Sequence, residues 1–282
     1  AVNIFLDLLL VGPLRMGTEG AAYATIFSQG VSLVISVVYL RRKEFLFDFK
    51  LKSFAVRKEK LTVILKVGLP TAVQMAVVNI SYLLITGMLN TFGVSVAAAS
   101  GIGLKINTMA GMPCWAIGQA ITTMAGQNMG AQNVDRVKKT AKCGLILNLA
   151  VTFAAVAAVQ IGSEHLIMLF DPSSADVVRD GVLYLRICCS ANSLVYAIMY
   201  TFDSFAIGVG SANIAMCNAF LDAMILRLPV CWLLAFPLQM GFAGVYIGQA
   251  VSPVLPAVVG AVYFLRGKWT AKKLIGGAPG KK

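Results

Sequence analysis

Seven long apolar stretches dominate this sequence and restrict its fold more than any other feature. A helix needs about 20 mostly apolar residues to cross the hydrocarbon layer, where it satisfies all of its own backbone hydrogen bonds. The composition agrees, because 58% of the residues are hydrophobic and 13% are charged, too few charges to cover a soluble domain of this size. We therefore predict an all-α, polytopic membrane helical bundle. Its seven full transmembrane helices are expected at about 20–40, 67–89, 96–124, 145–161, 182–207, 214–236 and 244–265.

The chain opens with a shorter apolar stretch, 2–11, which reaches only about half way across a bilayer. No methionine, basic segment or cleavage site accompanies it, so it does not have the pattern of a signal peptide. We expect a truncated helix here, with further chain before Ala1.

The charged residues predict how the chain threads through the bilayer. Lys and Arg, 24 against 12 Asp and Glu, cluster after the first, third and seventh stretches, whereas the loop after the fourth is acidic. Because Lys and Arg in short loops mark the cytoplasmic side, the charged loops all agree with one threading. We expect a multi-pass protein of the plasma (inner) membrane, with residues 41–66 and the C-terminus on the cytoplasmic side. Because the basic residues lie between apolar stretches, where orientation signals occur in membrane proteins, we expect the lipid bilayer and not a nucleic acid as the partner.

Two short sequence markers occur twice in the same order. Asn-x-Phe-Leu-Asp stands at 3–7 and 218–222, and Met-Gly-x-x-Gly stands at 16–20 and 240–244. Each pair precedes a terminal apolar stretch. Transporters are commonly built from internal repeats with the substrate path between them, so this pattern favours a transporter.

Several segments resemble the multidrug and toxic compound extrusion (MATE) transporters. They are N-I-F-L-D at 3–7, G-A-A-Y-A-T-I-F-S at 20–28, G-L-P at 68–70, A-A-A-S-G-I-G-L-K at 97–105, Q-N-M-G-A-Q-N-V-D-R at 127–136, L-F at 169–170 before Y-L-R at 184–186, and G-V-G at 208–210. Such transporters have twelve helices in two six-helix lobes. On that plan the resemblance implies four parts and a missing N-terminal lobe as partner. The parts are the end of the first lobe at 1–40, a basic cytoplasmic connector at 41–66, the second six-helix lobe at 67–268 and a cytoplasmic tail at 269–282.

The resemblance also implies a function. It predicts a cation-coupled antiporter, not an enzyme, that exports organic, cationic or amphipathic, drug-like compounds by alternating access. Na⁺ or H⁺ would be the coupling ion, with no cofactor. The alternative is a flippase for lipid-linked saccharide precursors, which would need several basic residues in its cavity, where the spans offer Lys105 and Arg227. A seven-helix receptor or a membrane-embedded enzyme is disfavoured, since one histidine and scattered acids supply neither a catalytic cluster nor a metal site.

Asp203 is the candidate for cation coupling, because ionisable residues inside a span are costly to bury and commonly functional. Tyr196 and Tyr200 stand seven and three residues before it, on the same face of the helix. A carboxylate in mid-membrane can take up a proton or Na⁺ and so change the preferred conformation. Some members of the family use a helix-ten carboxylate in this way, although aligning Gly208 and Gly210 places that carboxylate at another position.

The remaining polar residues inside the spans are predicted to line the cavity or to support the fold. The same family members also use a Glu in helix seven, which this chain lacks. The neutral polar residues of the corresponding stretch here are expected to line the cavity, together with two residues of the next stretch. These candidates are Gln74, Asn79, Ser81, Lys105 and Asn107. Asp7, Asp222 and Arg227 are predicted to be structural. Because residues five apart on an α-helix point to different faces, we expect Asp222 and Arg227 not to form a tight pair.

Overall fold

The computed structural model describes residues 2–42, 56–172 and 174–271, and these residues form helices and turns without a strand. The predicted all-α fold is confirmed. The helices of this part are α1 Val2–Val11, α2 Gly17–Arg42, α3 Lys58–Asn90, α4 Val94–Gly130, α5 Val134–Met168, α6 Ala175–Cys188, α7 Ala191–Gly208, α8 Ala212–Phe220, a π-helical segment Leu221–Arg227 (the π segment), α9 Leu228–Ala235, α10 Gly241–Val251 and α11 Val254–Leu265.

The seven predicted spans correspond to seven helical rods. Four rods are α2, α3, α4 and α5, and three are composite: α6 with α7, α8 with the π segment and α9, and α10 with α11. Among the described residues five rods are long and apolar enough to cross a membrane, and α6–α7 makes a sixth when the bent pair is counted as one. The remaining rod, α4, is 37 residues long, ample for a crossing, but its glycine, alanine and polar residues are spread along its length and lower its hydropathy.

The helices extend further than the apolar stretches. Helix α5 continues to Met168 and α6 already begins at Ala175, so most of the predicted acidic loop is helical. The Ser174 hydroxyl caps α6 by accepting a hydrogen bond from the Val177 N–H at 3.4 Å. The helices continue beyond their apolar stretches because the helical backbone remains hydrogen-bonded and polar side chains can face water there.

The α6–α7 rod is bent by 48° between Cys188 and Ala191. A break of this kind frees backbone carbonyls, which must find partners inside a membrane. Polar side chains supply them: the Ser190 hydroxyl donates to the Ile187 carbonyl at 2.8 Å and the Asn192 amide to the Cys188 carbonyl at 3.0 Å. The Gln160 amide of α5 also donates to the carbonyls of Leu185 and Cys189.

The two Met-Gly markers fold into the same turn. Positive φ angles between 50° and 60° occur at matching positions in both copies. These are Arg15 and Gly17 in the first copy, and Gln239 and Gly241 in the second. The Met16 N–H donates to the Leu10 carbonyl at 3.0 Å. The Met240 N–H donates to the Leu234 carbonyl at 3.1 Å. The repeated sequence therefore specifies a repeated backbone conformation.

The chain divides into two compact units, Ala1–Lys58 and Glu59–Lys282. Their boundary falls in the predicted connector 41–66, into which both α2 and α3 extend. Residues 43–55 of that connector and residues 272–282 of the predicted tail lie outside the described residues. The division into connector, lobe and tail stays a prediction.

Candidate functional site

Asp203 lies in a fully buried turn of α7 in the second unit. Every residue from Thr201 to Ala206 of α7 is buried, so this turn is surrounded by protein on all sides. The Asp203 carboxylate is 3% exposed, and its Oδ1 accepts a hydrogen bond of 2.7 Å from the Asn218 amide of α8. An uncharged amide compensates a buried carboxylate only in part. A carboxyl group here is therefore suited to bind a proton or a cation.

Interhelical hydrogen bonds fix the position of this turn. The Thr122 hydroxyl of α4 donates to the Ser204 carbonyl at 2.9 Å, and the Asn148 amide of α5 donates to the Thr201 hydroxyl at 2.9 Å. Polar side chains that bond across helices are a common means of association in membranes. Helix α7 is thus tied to α4, α5 and α8 around Asp203.

The two predicted tyrosines pack together on the side of α7 that faces α4. The rings of Tyr196 and Tyr200 stack with centroids 6.0 Å apart, and Trp115 Nε1 donates to the Tyr196 hydroxyl at 3.4 Å. Gly118 permits this packing, because a Cβ there would overlap the ring of Tyr200. The tyrosines therefore contact α4, whereas the Asp203 hydrogen bond goes to α8. The coupling role of all three residues stays a prediction.

Asp222 and Arg227 form a buried ion pair, and the expectation that they would not was wrong. Arg227 Nη2 lies 2.5 Å from Asp222 Oδ2, and both side chains are about 95% buried or more. The reason is the π segment, in which the Leu228 N–H donates to the Ala223 carbonyl, five residues back. In this winding, residues five apart come onto the same face.

Two further contacts hold the Arg227 guanidinium. Its Nε donates to the Ser252 hydroxyl at 3.3 Å, and the group lies 5.0 Å from the centre of the Tyr82 ring. Cations are attracted to the faces of aromatic rings. The guanidinium is therefore held in one orientation by α3, the π segment and Ser252 at the end of α10.

A cavity opens beside Arg227, among helices α3 to α7, the π segment and α10. Of the predicted residues it is lined by Asn107, Tyr196 and Arg227. Sequence reasoning missed Thr152, Asn192 and Gln249, which also line it. A signal was present for Gln249, the single side-chain amide of the predicted span 244–265.

The other predicted cavity residues lie elsewhere. Ser81 is fully buried, its hydroxyl donates to the Ala223 carbonyl of the π segment at 3.4 Å, and it does not line this cavity. Gln74 is half-buried, whereas Asn79 and Lys105 are exposed. The Asn79 amide donates to the Met75 carbonyl of its own helix. These three residues do not line this cavity, and a role toward a partner lobe stays a prediction.

Asp7 of α1 belongs to the first unit, where its Oδ1 is buried. Its predicted structural role is untested. Across the described ranges, no group of three or more His, Cys, Asp and Glu residues could hold a metal ion.

Known proteins resemble this chain in sequence and in fold. The probable multidrug resistance protein YpnP of Bacillus subtilis is 29% identical over 97% of this chain and 60% of its own length. The probable multidrug resistance protein NorM of Thermotoga maritima is 28% identical over 97% of this chain and 59% of its own length. A crystal structure of MATE in complex with MaL6 superposes with a TM-score of 0.88 at 22% identity, over 96% of this chain and 61% of that one. The chain thus spans about 60% of the length of the curated relatives it matches.

The sequence pattern of the MatE family matches residues 70–233, more than half of the chain. This match includes Asp203, Asp222, Arg227 and most of the cavity. The resemblance inferred from the short motifs is confirmed, and the chain belongs to the MatE family, a family of membrane transporters and not of enzymes.

Proposed function

We propose that this chain forms the second lobe, and the end of the first, of an antiporter that exports organic, cationic or amphipathic compounds across the plasma membrane. Export would proceed by alternating access, coupled to Na⁺ or H⁺ moving inward. Family membership and two relatives named for multidrug resistance support this proposal. The relatives' names do not favour the flippase alternative. Because the chain covers about 60% of their length, the activity belongs to the longer protein.

The observation that carries the coupling part of the proposal is the enclosed Asp203 carboxyl group. Asp203 is 3% exposed and its side chain hydrogen-bonds the neutral Asn218 amide. Binding of a proton or Na⁺ neutralises a charge that the interior disfavours. A cation that binds one conformation better than the other shifts the population between them. Asp203 is therefore our coupling residue.

The test is Asp203→Asn in the intact protein, reconstituted in liposomes with an imposed H⁺ or Na⁺ gradient. Asparagine keeps the size of the side chain but removes the charge that a cation would neutralise. We expect the gradient-driven transport of a fluorescent amphipathic compound to fall by about tenfold or more, a usual size for coupling between two sites. Asp135→Asn, at an exposed position in the first turn of α5, is the matched control. Equal gradient dependence in the Asp203 variant and the control would remove Asp203 from the mechanism.

A further inference from the structure

The cavity beside Arg227 presents hydrogen-bond donors that have no acceptor. Arg227 is 4% exposed, and its Nη1 is buried without a partner, as is Nε2 of Gln249. Both residues line the cavity. A buried donor left without an acceptor carries a large desolvation cost, so this wall is suited to a ligand that supplies acceptors.

The two donors approach the cavity from the same side. Ser252 accepts from Arg227 Nε at 3.3 Å, and its own hydroxyl contacts the Gln249 carbonyl at 3.2 Å. Gln249 is one helical turn before Ser252, so its side chain lies on the face that meets Arg227. The guanidinium is planar with donors in a fixed fork. With Nε and Nη2 occupied by Ser252 and Asp222, the Nη1 donors are the ones left for a ligand.

The charged residues of the cavity wall determine which ligand charge is favoured. Arg227 lines the cavity, whereas its partner Asp222 does not, and no Asp or Glu is among the described lining residues. The ion pair is therefore oriented with its positive end toward the cavity. A cation placed here would meet the guanidinium on the cavity wall, whereas the Asp222 carboxylate lies behind it and does not line the cavity. A carboxylate would instead accept charge-assisted hydrogen bonds from Arg227 and Gln249.

Aromatic side chains form another part of the cavity wall. Tyr82, Trp115, Tyr184 and Tyr196 all line the cavity, and rings of this kind pack against flat apolar ligands. Asp203, our coupling residue, does not line it. The cavity and the coupling residue are thus separate places in the same lobe.

We propose that this cavity binds the carboxylate of an aromatic, amphipathic organic acid, with Arg227 and Gln249 as the anchoring donors. This proposal rests on the proposed export function and narrows its substrates to compounds that carry an acceptor group on an aromatic body. The coupling cation is bound elsewhere, at Asp203.

The test measures binding to the intact protein in detergent micelles near neutral pH, without transport. Three probes share one nitroaromatic ring and differ in the head group: 4-nitrobenzoate, 4-nitrobenzamide and 4-nitrobenzylamine. Nitroaromatic rings quench tryptophan, and Trp115 lines the cavity. We expect the benzoate to bind at least about tenfold more tightly than the benzylamine, the effect of one charge-assisted hydrogen bond. The saturable quenching should disappear in Trp115→Phe.

Two variants test the named donors. Gln249→Met removes an amide nitrogen that makes no hydrogen bond in the protein, and Arg227→Lys keeps a cation opposite Asp222 but loses the planar fork. Each should weaken 4-nitrobenzoate binding by about tenfold and leave benzylamine binding nearly unchanged. Gln29→Met makes the same chemical change at an exposed position of α2 and should have no effect.

Equal affinity for the three probes, tighter binding of the benzylamine, or the same affinity in Gln249→Met and Gln29→Met would overturn the proposal. Export is measured separately in liposomes. Export without carboxylate preference refutes the cavity assignment alone, whereas carboxylate binding without any export refutes the proposed function.

Discussion

At the scale of single residues, the Asp222–Arg227 pair has the largest energetic consequence. Both charges are withdrawn from water, and each depends on the other. Removing one partner of a buried pair leaves an uncompensated charge, whereas replacing both by apolar side chains is often neutral. The pair therefore stabilises one arrangement of the π segment against α10 and α11 more than it stabilises folding as such.

This difference gives a prediction for protein stability. Arg227→Met should lower the free energy of unfolding by about 3–5 kcal/mol, because Asp222 remains buried and unpaired. The double variant Asp222→Leu/Arg227→Met should cost much less. Both values come from denaturant titrations of the intact protein in mixed micelles. Asp176→Leu removes an ion pair that is about 70% exposed, and serves as control with an expected change below about 1 kcal/mol. A double variant as unstable as Arg227→Met alone would show that the unpaired Asp222 charge is not the cause of the destabilisation.

At the scale of the elements, the irregular helical segments coincide with the buried ion pair and with polar residues of the cavity. The π segment aligns Asp222 with Arg227 and exposes the Ala223 carbonyl to Ser81. The break in α6–α7 lies beside Cys188, Cys189 and Asn192, which line the cavity. π-Helical turns and broken helices in membranes are often found at functional sites. Pro229, near the start of α9, cannot donate a backbone hydrogen bond and so favours the wider winding.

Pro229→Ala tests this explanation of the π segment. Pro229 is exposed, so little packing is lost, and the new N–H can bond to the Ile225 carbonyl and favour an α-helical turn. An α-helical turn would move Arg227 away from Asp222. In the Pro229→Ala background, the destabilisation caused by Arg227→Met should therefore fall by about half or more, measured as a double-mutant cycle. Pro113→Ala, also exposed and inside a helix, should leave the destabilisation caused by Arg227→Met unchanged. A full-sized effect in both backgrounds would exclude the proline as the cause.

At the scale of the second unit, basic residues lie together at one side, at the start of α5 and after the end of α11. Arg136 and Lys138 begin α5, and Lys268 follows α11. Trp269 packs with Val137 of α5 and with Phe205 of α7, which brings the start of α5 and the end of α11 to the same side. His165 lies near the other end of α5.

Cysteine labelling tests the predicted orientation of the whole molecule. In a background with the exposed Cys143 and Cys217 changed to Ser, His165→Cys should react with a membrane-impermeant maleimide in intact cells. Arg57→Cys and Lys268→Cys, both at exposed positions, should react only after permeabilisation, because Lys and Arg clusters stay in the cytoplasm. Labelling of Arg57→Cys and Lys268→Cys under different conditions would refute the shared cytoplasmic side.

Much of the fold follows from the sequence because the length of an apolar stretch and the charge beside it are local properties. They predicted the helical rods and the short first helix α1, while the matching motifs predicted the family. The repeated Met-Gly marker likewise specified its own turn. The ends of the helices were less predictable, since α5 and α6 continue through polar residues that a span-length argument assigns to a loop.

The contacts between helices were decided only by the tertiary structure. Helical spacing placed Asp222 and Arg227 on different faces, and the π segment brought them together. Nothing near Asp203 in the sequence indicates Asn218 as its partner, nor Gln249 as a neighbour of Arg227. These contacts depend on how each helix winds, breaks and rotates against the next, which the packing of the whole bundle determines. The sequence by itself therefore determined which segments become helices in a membrane, and the tertiary structure decided which of their polar groups meet.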